Sequence, residues 1–154
     1  MSAPNNWLST DPIPRAKLRT YFQGCASAVF LDVLGFKALV KSSAPRDKER
    51  IYEYFSLVKE ITRDLQQIQS KKDIGSIIIS DSVILSVPMG FDKEDSINKL
   101  RQLCIAIQKI QFGLAEKNIW LRGAISSGEA FFSTSDSQVV GPAYINAYLL
   151  EERH

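Results

Sequence analysis

Histidine and cysteine are scarce in this chain of 154 residues. The one histidine, His154, is the final residue, a place that suits a frayed end better than a base. Cys25 and Cys104 stand far apart, without the short spacing of metal ligands, which speaks against a thiolate metal centre and for a reducing, cytoplasmic setting. Cys104 falls on the apolar side of a helical pattern and reads as a small core residue. Charge of one sign is lacking too: a net +2 is too small to draw in nucleic acid, so any phosphate binding has to be local. No apolar run is long enough to span a bilayer, no signal peptide opens the chain, and no repeat or low-complexity tract interrupts it. Trp7 and Trp120, in a leading polar segment and at a strand start, form no stacking platform for nucleic acid.

What is present is the composition of one globular domain, 45% apolar and 23% charged, on a chain long enough to bury a real core. Residues 1–24 mix Pro, Asn, Ser and charge without periodicity and read as an N-terminal arm, leaving 25–154 as the domain. The apolar run from Ala26 to Val33 predicts a buried strand closed by a turn at Gly35. Ile51, Phe55, Val58, Ile61, Leu65 and Ile68 recur at helical spacing, and so do Ile97, Leu100, Cys104, Ile107, Ile110 and Leu114, the second helix opening on the acids Asp92 to Asp95. Between them, Ile77–Ile79 and Val83–Val87 predict two strands joined by the tripeptide SDS. Trp120–Ser126 and Glu129–Ser133 predict strands on either side of Gly128, followed by a short strand QVV and a last helix from Ala143 to Glu152. This order makes an α+β fold of ferredoxin-like plan, an antiparallel sheet with its two long helices on one face.

Two acids stand out against this apolar frame. Asp32 ends the first strand and Asp81 occupies the next hairpin, so neighbouring strands bring both carboxylates to one end of the sheet. Two carboxylates held close repel unless a cation or proton lies between them, and oxygen-only ligation with open positions suits Mg²⁺ or Mn²⁺, including a two-ion site that neutralises a phosphoryl group. Taken singly, Asp32 reads equally well as a helix cap and Asp81 as a turn acid. Gly35 permits a tight turn in which the amides of Val33 to Lys37 face a phosphate. Arg122 lies inside an apolar strand, where a guanidinium needs either a phosphate or a carboxylate partner.

Four motifs, FLDVLGF, SDSVILSVP, LRGAISSGEAFF and VVGPAYINAYLLE, occur in the order of the class III nucleotide cyclases, which the chain resembles from Ala26 to Glu151. The style of LGF, SDS, RGA and GPA..AY.LE is most similar to the bacterial pyrimidine cyclases of the Pycsar anti-phage defence system. The resemblance implies a homodimer with its sites at the interface, converting CTP or UTP to cyclic CMP or cyclic UMP and pyrophosphate. The product would act as a second messenger read by a downstream effector. It implies Asp32 and Asp81 as ligands of two metal ions, with Val33 as a further metal contact. Leu34, Gly35 and Phe36 would lie against the triphosphate, with Arg122 on a phosphate.

The departures are specific. Where purine cyclases read the base with a Lys or Glu, this chain has Ile77, and their second base-reading position is Gln138, whose amide both donates and accepts. The family's transition-state Asn and Arg fall on Ile145 and Leu149, and Asn146 reaches that role only with a one-residue shift. Tyr144 and Tyr148 suit packing or dimer contacts as well as base contacts. Family members continue past the position of His154 through another strand pair bearing a triphosphate-binding Lys, so the resemblance implies a catalytic domain truncated here. The alternative is an inactive nucleotide-binding or dimerisation module of the same fold. A diguanylate cyclase is disfavoured, because the hairpin carries SDS and no GGDEF-like turn.

Overall fold

A computed structural model of the protein describes residues 21–67, 74–133 and 136–153. Five strands form one antiparallel sheet: β1 (Tyr21–Val33), β2 (Gly75–Ile79), β3 (Ser82–Pro88), β4 (Leu121–Ser133) and β5 (Gln138–Val140), in the order β2-β3-β1-β4-β5. Helices α1 (Phe36–Lys41), α2 (Pro45–Gln67), α3 (Lys93–Ala115) and α4 (Pro142–Glu152) complete the fold. The α+β class and the antiparallel plan are as expected from the sequence.

Period-two alternation splits β1 between two cores. Val29, Leu31 and Val33 join Val83, Leu85 and Val87 of β3 against Tyr54 and Val58 of α2 and against Leu103, Ile107, Ile110 and Leu114 of α3. The other face carries Phe30, Ile77 and Ile84 against Ala147 of α4, with Ala26, Ala28 and Ala130 around Ala143. The long helices therefore share one face, and α4 lies on the opposite one. Small alanines let α4 approach the sheet closely. A Cβ at Gly75 in β2 would collide with the Phe132 ring of β4, so strands that are not neighbours in the sheet meet across it, and the sheet curls around α4.

Several expectations shift. β1 is already formed at Tyr21, inside the segment read as an arm, while residues 1–20 lie outside the described residues. β4 is a single strand of 13 residues: Gly128, read as a break, pairs in register with Ala26 at φ 157° and lies in ordinary contact range of Ala143 on α4. Cys104 is exposed, and so are Ile97 and Leu100, because the inward stripe of α3 runs through Leu103, Ala106, Ile107, Ile110 and Leu114 instead. In α2 the inward aromatic is Tyr54, at 1% exposure, and Phe55 is 38% exposed. The side chains of Ile61, Leu65 and Ile68 lie outside the described residues. The acids before α3 cap it as expected, the Asp92 carboxylate accepting from the Asp95 amide at 2.8 Å.

Candidate active site

β1 is the central strand, and its last polar residue is Asp32. In register, Asp32 faces Ser82 on β3 and Arg122 on β4. The Ser82 hydroxyl donates to Asp32 Oδ1 at 3.3 Å. Asp81 sits beside Ser82 in a two-residue hairpin between Ile79 and Ser82. Ser80, at the first turn position, takes φ 55°, a left-handed value that a non-glycine residue rarely adopts. The turn is tied to β1 because the Val33 amide donates to the Asp81 carbonyl at 3.1 Å. Both acids thus arrive at one sheet end, as the strand pattern predicts.

The electrostatics follow from this crowding. Burial first, then the negative charges of Asp81 and Glu151, push the Asp32 carboxyl up from its ordinary value, while the Ser82 hydroxyl and the Arg122 guanidinium pull it down. One guanidinium does not offset three carboxylates. Asp32 is not a helix cap: α1 is capped by Gly35 in the left-handed conformation, with no side-chain bond.

For Arg122, the structure places a carboxylate within reach. Its Nε pairs with Glu151 Oε1 of α4, an acid only 5% exposed. That pair uses one edge of the guanidinium, and the Arg122 side chain is 42% exposed. The solvent-exposed part of the guanidinium leaves room for a second anion beside the pair.

The turn after β1 is partly occupied. Besides the Val33 amide, the Leu34 amide is committed, donating to the Trp120 carbonyl at 2.8 Å. Both belong to strand closure and not to the expected phosphate cradle. Gly35, with φ 74°, turns the chain into α1, whose first amides, at Phe36 and Lys37, have no acceptor within the helix. The Phe36 side chain itself is buried, packed edge-on against Tyr54.

Other predicted residues lie apart. Ile77 is 3% exposed and packs with Phe30, Ile84, Phe132 and Ala147, so it belongs to the α4 core and is not open to a base in this chain. Gln138 is exposed on β5 and lines a shallow cleft of about 410 Å³ with Ile79, Phe131, Ser137, Val139, Val140 and Tyr144. Asn146 is exposed on α4, as are Ile145 and Leu149.

The donor set fits a hard divalent cation. Among the described residues no group of three or more His, Cys, Asp or Glu side chains converges as a complete metal cage. Asp32 and Asp81 nevertheless suit Mg²⁺ or Mn²⁺, because such ions are commonly held by one or two carboxylates and complete their shell with waters and substrate phosphates. Burial first, and then the neighbouring charges of Asp81 and Glu151, raise Asp32, and a bound cation would offset both. Sequence reasoning passed over two residues here: Ser82 and Glu151. Glu151 carries a signal like that of Asp32, an acid closing an apolar run, YLLE.

No family model matches the chain, and no curated protein matches it. Solved structures do. The dimeric guanylyl cyclase domain of the RhoGC fusion protein from the aquatic fungus Blastocladiella emersonii aligns with a TM-score of 0.54 at 13% identity, over 86% of this chain and 76% of that one. The monomeric guanylyl cyclase domain of the same fusion protein aligns at 0.57 and 12%, over 86% and 78%. A class III adenylyl cyclase-like ATP-binding protein from Pseudomonas aeruginosa aligns at 0.60 and 15%, over 87% of this chain but 32% of that one. At such identities the likeness is one of architecture: the five-stranded antiparallel sheet and its helices form the fold of class III cyclase-like domains.

Proposed function

We propose that the protein is a nucleotide cyclase that converts CTP or UTP to the 3′,5′-cyclic monophosphate, on a domain that takes in β1 from Tyr21. The reading rests on Asp32 and Asp81, brought to one sheet end by the pairing of β1 with β3 and the hairpin before Ser82. Divalent ions bound there would lower the pKa of the attacking hydroxyl and neutralise charge on the triphosphate. The ribose 3′ oxygen bonds to the α-phosphorus, its proton passes to water, and the bond from that phosphorus to the bridging oxygen breaks to release pyrophosphate. Arg122, anchored through Nε on Glu151, offers its Nη nitrogens to a phosphate oxygen. The turn Leu34–Phe36 lies against the triphosphate, with the Phe36 amide as donor. Gln138 reads the base from the cleft beside β5, and Asn146 assists the transition state from the outer side of α4.

A homodimer completes this arrangement. Ile145, Leu149 and Leu150 on α4 are all more than 40% exposed, an apolar surface that a second copy would cover, and one of the structural neighbours is a dimeric guanylyl cyclase domain. Among the described residues no helix is long and apolar enough to cross a membrane. The cyclic product would act as a second messenger in bacterial anti-phage defence, sensed by a separate effector.

A second reading keeps the fold without turnover, as an inactive nucleotide-binding module. It is favoured by the apolar Ile145 and Leu149 on the exposed side of α4. Incubation with Mn²⁺ and each of ATP, GTP, CTP and UTP, with products identified by mass, separates the two. Cyclic CMP or cyclic UMP, absent with Asp32→Ala, is expected. Nucleotide binding without any cyclic product would establish the inactive module.

A further inference from the structure

Tyr54 carries a buried hydroxyl. The residue is 1% exposed, and its Oη is buried without a hydrogen-bond partner among the described residues. A buried phenol normally finds a partner, and leaving that bond unmade destabilises the fold. Its surroundings explain why the ring cannot escape to water. Phe36 lies edge-on at 5.9 Å and Phe55 at 4.9 Å, while Phe36 and Phe55 meet at 6.4 Å. Tyr54 also packs in the same core cluster as Val33, next to Asp32, and Val83, two residues past Asp81. The two carboxylates act on the phenol directly: after burial, the charges of Asp81 and then Asp32 push its ionisation up. At neutral pH a phenol is protonated in any case, so the group is an O–H donor in one core cluster with residues that flank the two acids.

We propose that Tyr54 is a positioning residue for the acid pair, its O–H donating to the Asp81 carboxylate once Asp81 turns to share a divalent cation with Asp32. This inference rests on the metal-binding reading of the two acids. Carboxylates that ligate a cation are themselves held by hydrogen bonds, and loss of such a support weakens metal affinity by about 10- to 100-fold. The aromatic clamp would convey that support to the turn as well, because Phe36 follows Gly35 directly.

The test uses Mn²⁺ alone as probe and thermal unfolding of wild type, Tyr54→Phe and Asp32→Asn across a Mn²⁺ titration, without nucleotide. Tyr54→Phe keeps the ring and removes only the unpartnered hydroxyl, so its Tm without metal should equal or exceed that of wild type. Its apparent Mn²⁺ affinity should fall about tenfold. A merely structural tyrosine would show the reverse, a lower Tm without metal and an unchanged Mn²⁺ response. Loss of the Mn²⁺ response in Asp32→Asn with a full response in Tyr54→Phe would overturn the role of Tyr54 and leave the acid pair standing. A wild-type response in Asp32→Asn, or none in wild type, would overturn both.

Discussion

Arg122→Met would cut the ion pair that joins β4 to α4. The Glu151 side chain is 4% exposed and that of Arg122 42%, so removing the guanidinium strands a carboxylate that water barely reaches. An exposed pair is worth about 0–1 kcal/mol. Breaking a fully buried one costs about 3–5 kcal/mol. With one partner buried and the other nearly half in solvent, a loss of about 2 kcal/mol is expected. For a domain of this size that lowers Tm by about 4–8 °C. Glu151→Gln is milder, about 1 kcal/mol or less, because Arg122 can turn outward and hydrate. The double variant then loses little more than Glu151→Gln alone, which gives a coupling energy of about 1–2 kcal/mol. Urea unfolding of all four proteins at pH 7, followed by circular dichroism, measures the cycle. Single losses that add to within about 0.5 kcal/mol would show that the two side chains are not coupled, and Arg122 would lose the anchor required for its phosphate contact.

Asp32 supplies a pH test. Its carboxyl is raised in the fold, so the stability it contributes is fully present below the ordinary Asp value of 3.8 and is lost as pH rises through the folded value. Asp32→Asn keeps an acceptor for Ser82 and should therefore melt above wild type at pH 7 and lose that advantage near pH 3. The same difference in Tm at both pH values would refute the charge crowding. At Gly123, a Cβ would collide with the Phe30 carbonyl and the Leu31 side chain of β1. Gly123→Ala should cost about 1–3 kcal/mol and carry the neighbouring Arg122 away from Asp32, and an unchanged denaturation midpoint would show that β4 tolerates the displacement.

The acids of the site are legible because a carboxylate at the end of an apolar strand contradicts its surroundings, and Asp32 and Asp81 both do so. The order of the elements and the amphipathic character of the two long helices follow from periodicity. Periodicity fails where two side chains compete for one helical direction: Tyr54 and Phe55 both continue the stripe from Ile51, hydropathy favours Phe55, and packing against Phe36 selects Tyr54. Cys104 and Leu103 present the same ambiguity one residue apart. Gly128 misleads for another reason, since glycine in a strand often marks a bulge or bend, and here it continues the ladder at φ 157°, a value that L side chains rarely adopt. The Arg122–Glu151 pair lies beyond any local pattern, because its partners meet through the packing of α4 on β4.

The curled sheet places its earliest strand at the centre. β1 is synthesised first, yet one of its edges stays bare until β3 exists and the other until β4, with Ser27 finding Ser127 across 100 residues. So non-local a topology folds slowly, and during that interval an apolar run, Ala28 to Leu31, presents unpaired backbone on both sides. Nascent chains are thus open to wrong pairings before the site can assemble. Chaperone dependence and aggregation at high expression are the expected signature, and slower synthesis through residues 34–120 would lengthen the exposure.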